Sequence, residues 1–376
     1  MKDGAKGPGP DGNLPLEPPP LPGTPDMPVH PGIDEFVDKD IAAREAPEKA
    51  KGEYIMEAEG LQMYFPVTKG LFKRKAGDVK AVDGVSFRIR QGRTLGVVGE
   101  SGSGKSTLGN CVMRNLRPTG GKVVFDGQDV TRLEGKALAA YHKRVTMVTQ
   151  DPFASLDPRM TVADSVLEGV RINRLADKAG EQALAERMLL MVGLNPKYGS
   201  RYPHEFSGGQ RQRVSIARAL AMGPSFIICD EVVSALDVSV QAQVVGLLQQ
   251  LQQQLGLSYI FIGHDLSVVR YLSHEVAVMY LGKFMEVAGS DELYGHPLHP
   301  YTQALVSAAP IPKPSVDRAR PRVSLEGEPP SPIHPPQGCR FCTRCRYAEK
   351  RCREEEPALK DAGGGHLVAC HKVTGG

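Results

Sequence analysis

Apolar residues in this chain cluster in short, unbroken runs, set apart by longer stretches of helical period. Thr94-Leu95-Gly96-Val97-Val98, Phe226-Ile227-Ile228-Cys229 and Tyr259-Ile260-Phe261-Ile262 carry almost no polar position. Runs of this length without alternation predict strands buried on both faces. Val276-Ala277-Val278-Met279 resembles a fourth. The stretch Ala81 to Ile89 alternates in part, as a half-exposed strand does. Residues 155–205 read as helical, with Glu181 to Met191 the clearest example. Val240, Val244, Leu247, Leu251 and Leu255 recur at helical spacing, and that stripe is assigned to core packing. Strands alternating with helices predict an α/β fold around a mostly parallel, doubly wound sheet.

Composition adds boundaries to this picture. Order begins near Tyr54; residues 1–52 are rich in Pro, Gly and charge and read as a disordered tail. Residues 311–338 are again Pro-rich and read as a linker. With 376 residues, 41% of them apolar, the chain can bury one large core and carry appendages. A formal net charge of +3 implies no general preference for polyanions. No secretory h-region opens the chain, and no run of about 18 apolar residues occurs, so contact with a membrane is expected only through partner proteins. Five of the seven cysteines lie in 339–376, a segment too short for an ordinary core and in need of a staple. Without an export signal, such a cluster favours metal over disulfides. Cys111 and Cys229 fall in a predicted helix and strand and are assigned to the core.

Two motifs carry chemistry. Gly99-Glu100-Ser101-Gly102-Ser103-Gly104-Lys105-Ser106-Thr107 matches the phosphate loop G-x-x-x-x-G-K-[ST], after a buried strand and before a helix. Glycines let backbone wrap a polyphosphate, and the N–H groups at the helix start face the anion. Lys105 is expected on the β- and γ-phosphates, and Ser106 on Mg²⁺. Asp230 and Glu231 end the strand Phe226 to Cys229, where ligands of open α/β sheets lie. Asp230 is expected to hold Mg²⁺ through water, and Glu231 to act as general base on the attacking water.

At Phe206-Ser207-Gly208-Gly209-Gln210-Arg211-Gln212-Arg213 the sequence resembles the ABC ATPase family, whose signature is SGGQ. The resemblance covers about residues 54–310 and continues into the tail. It implies a RecA-like P-loop NTPase core over 53–310, an antiparallel β subdomain and a helical subdomain at about 151–206. It also implies a role for each matching residue. Gln150 matches the Q-loop glutamine on Mg²⁺. Ser207, Gly208, Gly209 and Gln210 match the signature that caps the ATP of a second subunit. Asp237 matches the D-loop acid, and His264 the switch histidine on the γ-phosphate. Phe65 aligns best with the adenine-stacking aromatic, with Tyr64 as runner-up. Val232 stands where the family usually has Pro, which bears on the rigidity of the loop after Glu231.

Gly70-Leu71-Phe72-Lys73-Arg74, the run Val79 to Phe87, His296-Pro297-Leu298-His299-Pro300-Tyr301-Thr302 and Gly327-Glu328-Pro329-Pro330-Ser331-Pro332 look like the oligopeptide/dipeptide importer branch, F-type. This implies an ATPase at the cytoplasmic face of the inner membrane. Its implied partners are a related D-type ATPase, two permeases and an extracytoplasmic binding protein. Nickel or oligosaccharide as cargo, or an ABC ATPase outside transport, stay as alternatives. The branch's cysteine pattern falls on Cys339, Cys345, Cys352 and Cys370, with Cys342 an extra thiol. It implies a [4Fe–4S] cluster, with tetrahedral Zn²⁺ as the alternative. The cysteine segment is expected to be structural or regulatory, because it is remote in sequence from the ATP motifs.

Overall fold

The computed structural model describes residues 52–69, 74–151, 155–309, 325 and 327–374. The expected tail, save residue 52, the run Gly70 to Lys73 and most of the Pro-rich segment lie outside the described residues. Two sheets form. In the first, β1 (Tyr54–Lys69), β2 (Arg74–Arg90), β4 (Gly120–Phe125) and β5 (Gln128–Asp129) pair antiparallel in the order β2-β1-β4-β5. The second has eight strands. They are β3 (Thr94–Val98), β6 (Val145–Val148), β7 (Phe226–Asp230), β8 (Ser258–Ile262), β9 (Glu275–Tyr280), β10 (Lys283–Gly289), β11 (Lys360–Asp361) and β12 (Leu367–Val368). Their order is β11-β12-β10-β9-β3-β8-β7-β6. From β9 to β6 every pairing is parallel; β10, β12 and β11 close the other edge antiparallel.

The unbroken apolar runs follow from this layout. Along β7 and β8, Ile227, Cys229, Tyr259 and Phe261 face one core, and Phe226, Ile228, Ile260 and Ile262 face the other. Successive side chains point to opposite faces, so a strand covered on both must be apolar throughout. The first core holds Val244, Val245, Leu247, Leu248 and Leu251 of the helix Val238–Leu255. The second lies against the antiparallel sheet and the helix Lys105–Met113, and there Cys111 is fully buried.

The end of the chain departs from the picture of a separate appendage. Leu367 and Val368 pair with Val287 and Glu286, and Cys339, Phe341, Cys342 and Cys352 belong to the first core. Glu286, wholly buried, is the anchor. Its carboxylate accepts N–H bonds from Leu298 (2.7 Å) and His299 (2.9 Å) and lies 2.6 Å from His366 Nε2. A buried carboxylate is tolerable only with such a full set of partners. His299 caps the helix Pro300–Ala308 by accepting from the Tyr301 N–H at 3.1 Å. Burial pulls its imidazole down to about 3, so it stays neutral.

Candidate functional site

β3 runs into the loop from Gly99 to Gly104, and the helix Lys105–Met113 leaves it. Two glycines there admit no substitute. A Cβ on Gly99 would lie 2.1 Å from the Met279 carbonyl oxygen, and one on Gly104 2.0 Å from that of Ala81; both have positive φ. Ser101 and Gly102 are exposed at the loop tip. The buried Ser103 hydroxyl has no hydrogen-bond partner among the described residues. Lys105 donates to the carbonyls of Gly99 (2.8 Å) and Glu100 (3.0 Å). Burial lowers its ammonium, against the pull of Glu231, Asp230 and Glu100. An open hydroxyl, a helix start and an ammonium held by loop carbonyls fit a polyphosphate.

The acidic pair lies across the sheet from the loop. Ser106 donates to Asp230 at 3.0 Å. Burial raises the Asp230 carboxyl, and Glu231 adds to this; the Ser106 hydrogen bond and Lys105 oppose it. A divalent cation bound beside it would relieve that cost. Gln150 donates to Glu231 Oε2 at 2.9 Å, and His264 Nδ1 lies 3.8 Å from the same oxygen. The fold thus brings Lys105, Ser106, Gln150, Asp230, Glu231 and His264 to one end of the parallel sheet. Thr107, half-buried, follows on the same helix.

Glu231 has φ 50, in the left-handed region that a non-glycine residue seldom enters. Its conformation is over-determined. Its N–H donates to the Ile262 carbonyl (3.0 Å), its carbonyl accepts from the Ser234 N–H (3.1 Å) and hydroxyl (2.9 Å), and Val232 is buried in the first core. The loop without proline is therefore anchored by packing and hydrogen bonds.

Ser207 caps the helix Gly208–Leu220 in a reciprocal box: its hydroxyl accepts from the Gln210 N–H, and its own N–H donates to Gln210 Oε1. Gly209 is buried and Gly208 half-buried at that helix start. Among the described residues no hydrogen bond joins Ser207–Gln210 to the phosphate loop. Asp237 is exposed and makes no cap hydrogen bond, and Val238 beside it is 63% exposed. Phe65 is half-buried against the second core. The Tyr64 hydroxyl is committed to Asp83.

The cysteine segment is remote in sequence but not in space. Arg344 donates to Glu100 Oε2 at 2.8 Å, and the Glu100 N–H donates to the Tyr301 hydroxyl at 2.9 Å. Arg340, with its side chain 5% exposed, pairs with Asp83, on which Tyr64 and Lys283 also converge. A cleft of about 460 Å³ lies between Glu100–Ser103, Tyr280, Leu281 and the segment Glu328–Pro332. No motif marked Glu100, Tyr301, Arg344, Asp83 or Arg340 as a set, since each contact joins distant parts of the chain.

Cys339, Cys342, Cys345, Cys352 and Cys370 line one small cavity together with His371. Burial pushes the Cys339 thiol up to about 12 and raises those of Cys342, Cys345 and Cys370. Among the described residues, no three His, Cys, Asp or Glu are grouped to hold a metal ion. Tetrahedral zinc needs four ligand atoms about 2.0–2.3 Å from a common centre. The expected metal centre at Cys339, Cys345, Cys352 and Cys370 thus finds no support in this arrangement.

Comparison with known proteins fits the geometry. Residues 82–234 match the ABC transporter family, and residues 285–352 match the oligopeptide/dipeptide transporter C-terminal region. The oligopeptide transport ATP-binding protein AppF of Bacillus subtilis (strain 168) is 52% identical over 323 residues, covering 86% of this chain and 98% of that one. The probable peptide ABC transporter ATP-binding protein y4tS of Sinorhizobium fredii is 50% identical, covering 84% and 89%. Among solved structures, cbiO1 from Clostridium perfringens, part of the ABC transporter complex cbiONQ, superposes with a TM-score of 0.56 at 26% identity, covering 65% and 92%. The bacterial ABC transporter cassette MJ0796 does so at 0.55 and 24% identity, covering 62% and 98%, a likeness of fold alone. On these likenesses this chain belongs to the ABC transporter family, as an ATP-hydrolysing subunit of its oligopeptide/dipeptide branch.

Proposed function

We propose that the chain is one half of an ATPase pair that powers uptake of di- or oligopeptides. Its partners are a related D-type ATPase, two permeases and an extracytoplasmic binding protein, at the cytoplasmic face of the inner membrane. One observation carries the pairing: the phosphate loop and acidic strand end meet, while among the described residues no hydrogen bond joins the signature helix start to the phosphate loop. Each nucleotide then lies between one chain's loop and the signature of the other. No helix among the described residues is long and apolar enough to cross a membrane, so permeases supply the path. Peptide as cargo rests on the likeness to AppF and y4tS.

ATP is the substrate and Mg²⁺ its counter-ion, which together supply the transferable phosphoryl group with its charge masked. Lys105 exchanges its two loop carbonyls for phosphate oxygens. Ser106 and Gln150 would hold Mg²⁺, with Asp230 acting through water. Glu231 takes the proton of the attacking water, and His264 contacts the γ-phosphate. Phe65 stacks on adenine. In the assembled transporter in vesicles, peptide-loaded binding protein is expected to raise ATP hydrolysis several-fold. Stimulation by nickel or an oligosaccharide instead would overturn the cargo.

We further propose that Cys339, Cys345, Cys352 and Cys370 hold a [4Fe–4S] cluster, with tetrahedral Zn²⁺ as the alternative. The reading rests on the likeness of the cysteine pattern to that of the oligopeptide/dipeptide branch, whose thiolates suit a group with several iron atoms. Raised thiols must give up protons to bind it. Protein purified without oxygen is expected to be brown, with broad absorbance at roughly 400 nm. Colourless protein with stoichiometric zinc would refute the cluster.

A further inference from the structure

We infer that Arg344 and Tyr301 are positioning residues for the nucleotide: they hold Glu100, and through it the phosphate loop, in the form that accepts ATP. The inference rests on the ATPase reading and goes beyond it, since neither residue belongs to any ATP motif.

Glu100 is the second residue of a loop that must receive a polyanion. A carboxylate there opposes phosphate binding unless a cation holds it. Arg344 does so at 2.8 Å, with its side chain 6% exposed and that of Glu100 25%. The guanidinium also donates to the Tyr280 hydroxyl at 3.4 Å. Tyr301 takes the other side, its hydroxyl accepting the Glu100 N–H at 2.9 Å. The Glu100 carbonyl is one of the two that receive Lys105. All three polar groups of this residue are thus spoken for, two of them by segments past residue 300.

These segments are not free to drift. Tyr280, Tyr301 and Phe341 pack in a three-ring knot, with ring centroids 4.8, 5.3 and 5.5 Å apart. Phe341 comes three residues before Arg344, and Tyr301 is anchored through His299 to Glu286. Aromatic packing of this kind fixes angle as well as distance. The consequence is electrostatic and geometric together: the carboxylate is paired and turned toward the C-terminal segment, leaving the Ser101, Gly102 and Gly104 amides to the phosphates, while the Ser103 N–H donates to the Glu100 carbonyl at 3.2 Å.

The test is a charge cycle in the full-length chain, read by equilibrium binding of a fluorescent ATP analogue with Mg²⁺. Arg344→Gln is expected to weaken binding about tenfold, a loss typical of uncovering one charge beside an anion. Arg344→Lys, which keeps the charge, should stay within about threefold of wild type. Adding Glu100→Gln to Arg344→Gln should restore most of the affinity. In the assembled transporter the Arg344→Gln defect should appear in KM for ATP with kcat within about twofold. Unchanged affinity in Arg344→Gln, or no recovery on adding Glu100→Gln, overturns the inference. If Arg344→Gln does not fold, Tyr301→Phe carries the test from the amide side: a loss of a few fold supports it and unchanged affinity overturns it. Wild-type protein that binds no ATP would instead sink the ATPase reading itself.

Discussion

Glu231→Gln is expected to keep MgATP binding and to lower hydrolysis by roughly 10²–10⁴-fold, the range for losing a general base. The substitution is nearly isosteric and leaves the backbone at φ 50 held by the same Ile262 and Ser234 contacts. What it removes is the proton acceptor. Gln150 and His264 both lie against Glu231 Oε2, so the amide still finds neighbours and the site does not collapse. Lys105 and Ser106 are untouched, so affinity for nucleotide persists. The measurement is ATP turnover by the assembled transporter, beside nucleotide binding by the same variant. Turnover near the wild-type rate would remove Glu231 from the role of base.

Asp83→Ala should be the most destabilising single change outside the hydrophobic cores. Arg340 is almost wholly buried, and its Nε and Nη1 already lack hydrogen-bond partners among the described residues. Removing Asp83 leaves the buried guanidinium only the long pairing with Glu356 at 3.9 Å, a defect worth about 3–5 kcal/mol. At a few degrees per kcal/mol, the midpoint of thermal unfolding should fall by on the order of 10 °C. A drop of only a degree or two would show that Arg340 finds another partner. The effect carries a pH signature. Burial alone would raise the Asp83 carboxyl, but the Tyr64 hydrogen bond and the charges of Lys283 and Arg340 outweigh it and hold it below its ordinary value of 3.8. A carboxyl depressed by folding stabilises the native state above the unfolded value, and that contribution fades as pH falls through the folded one. The advantage of wild type over Asp83→Asn should therefore be full at pH 6–8 and shrink below about pH 4.

The parts of this protein that can be read from its sequence are those written locally. A strand covered on both faces announces itself by four apolar residues in a row, as Phe226-Ile227-Ile228-Cys229 does before Asp230. A phosphate loop must be contiguous, because one backbone turn wraps one ligand. The positive φ of Glu231 left no such trace, because a long-range bond to Ile262 and the local bonds from Ser234 impose it together. The pairing of Arg344 with Glu100 spans 244 positions, and neither residue is unusual where it stands. β12 has two residues, too few for any period to show. Distance in sequence suggested that the cysteine segment is remote from the ATP site, whereas the sheet order returns it to the phosphate loop.

That return has a cost in time during synthesis. β10 pairs with β9 as soon as both have left the ribosome, but its other edge is covered only when Leu367 and Val368 arrive. At roughly 5–20 residues per second, the intervening stretch takes several seconds to make. Throughout that interval the nascent chain carries an open strand edge, and the buried carboxylate of Glu286 lacks His366. A ribosome stalled between these strands would hold a cassette with its ATP motifs already translated and its sheet still able to capture a neighbour.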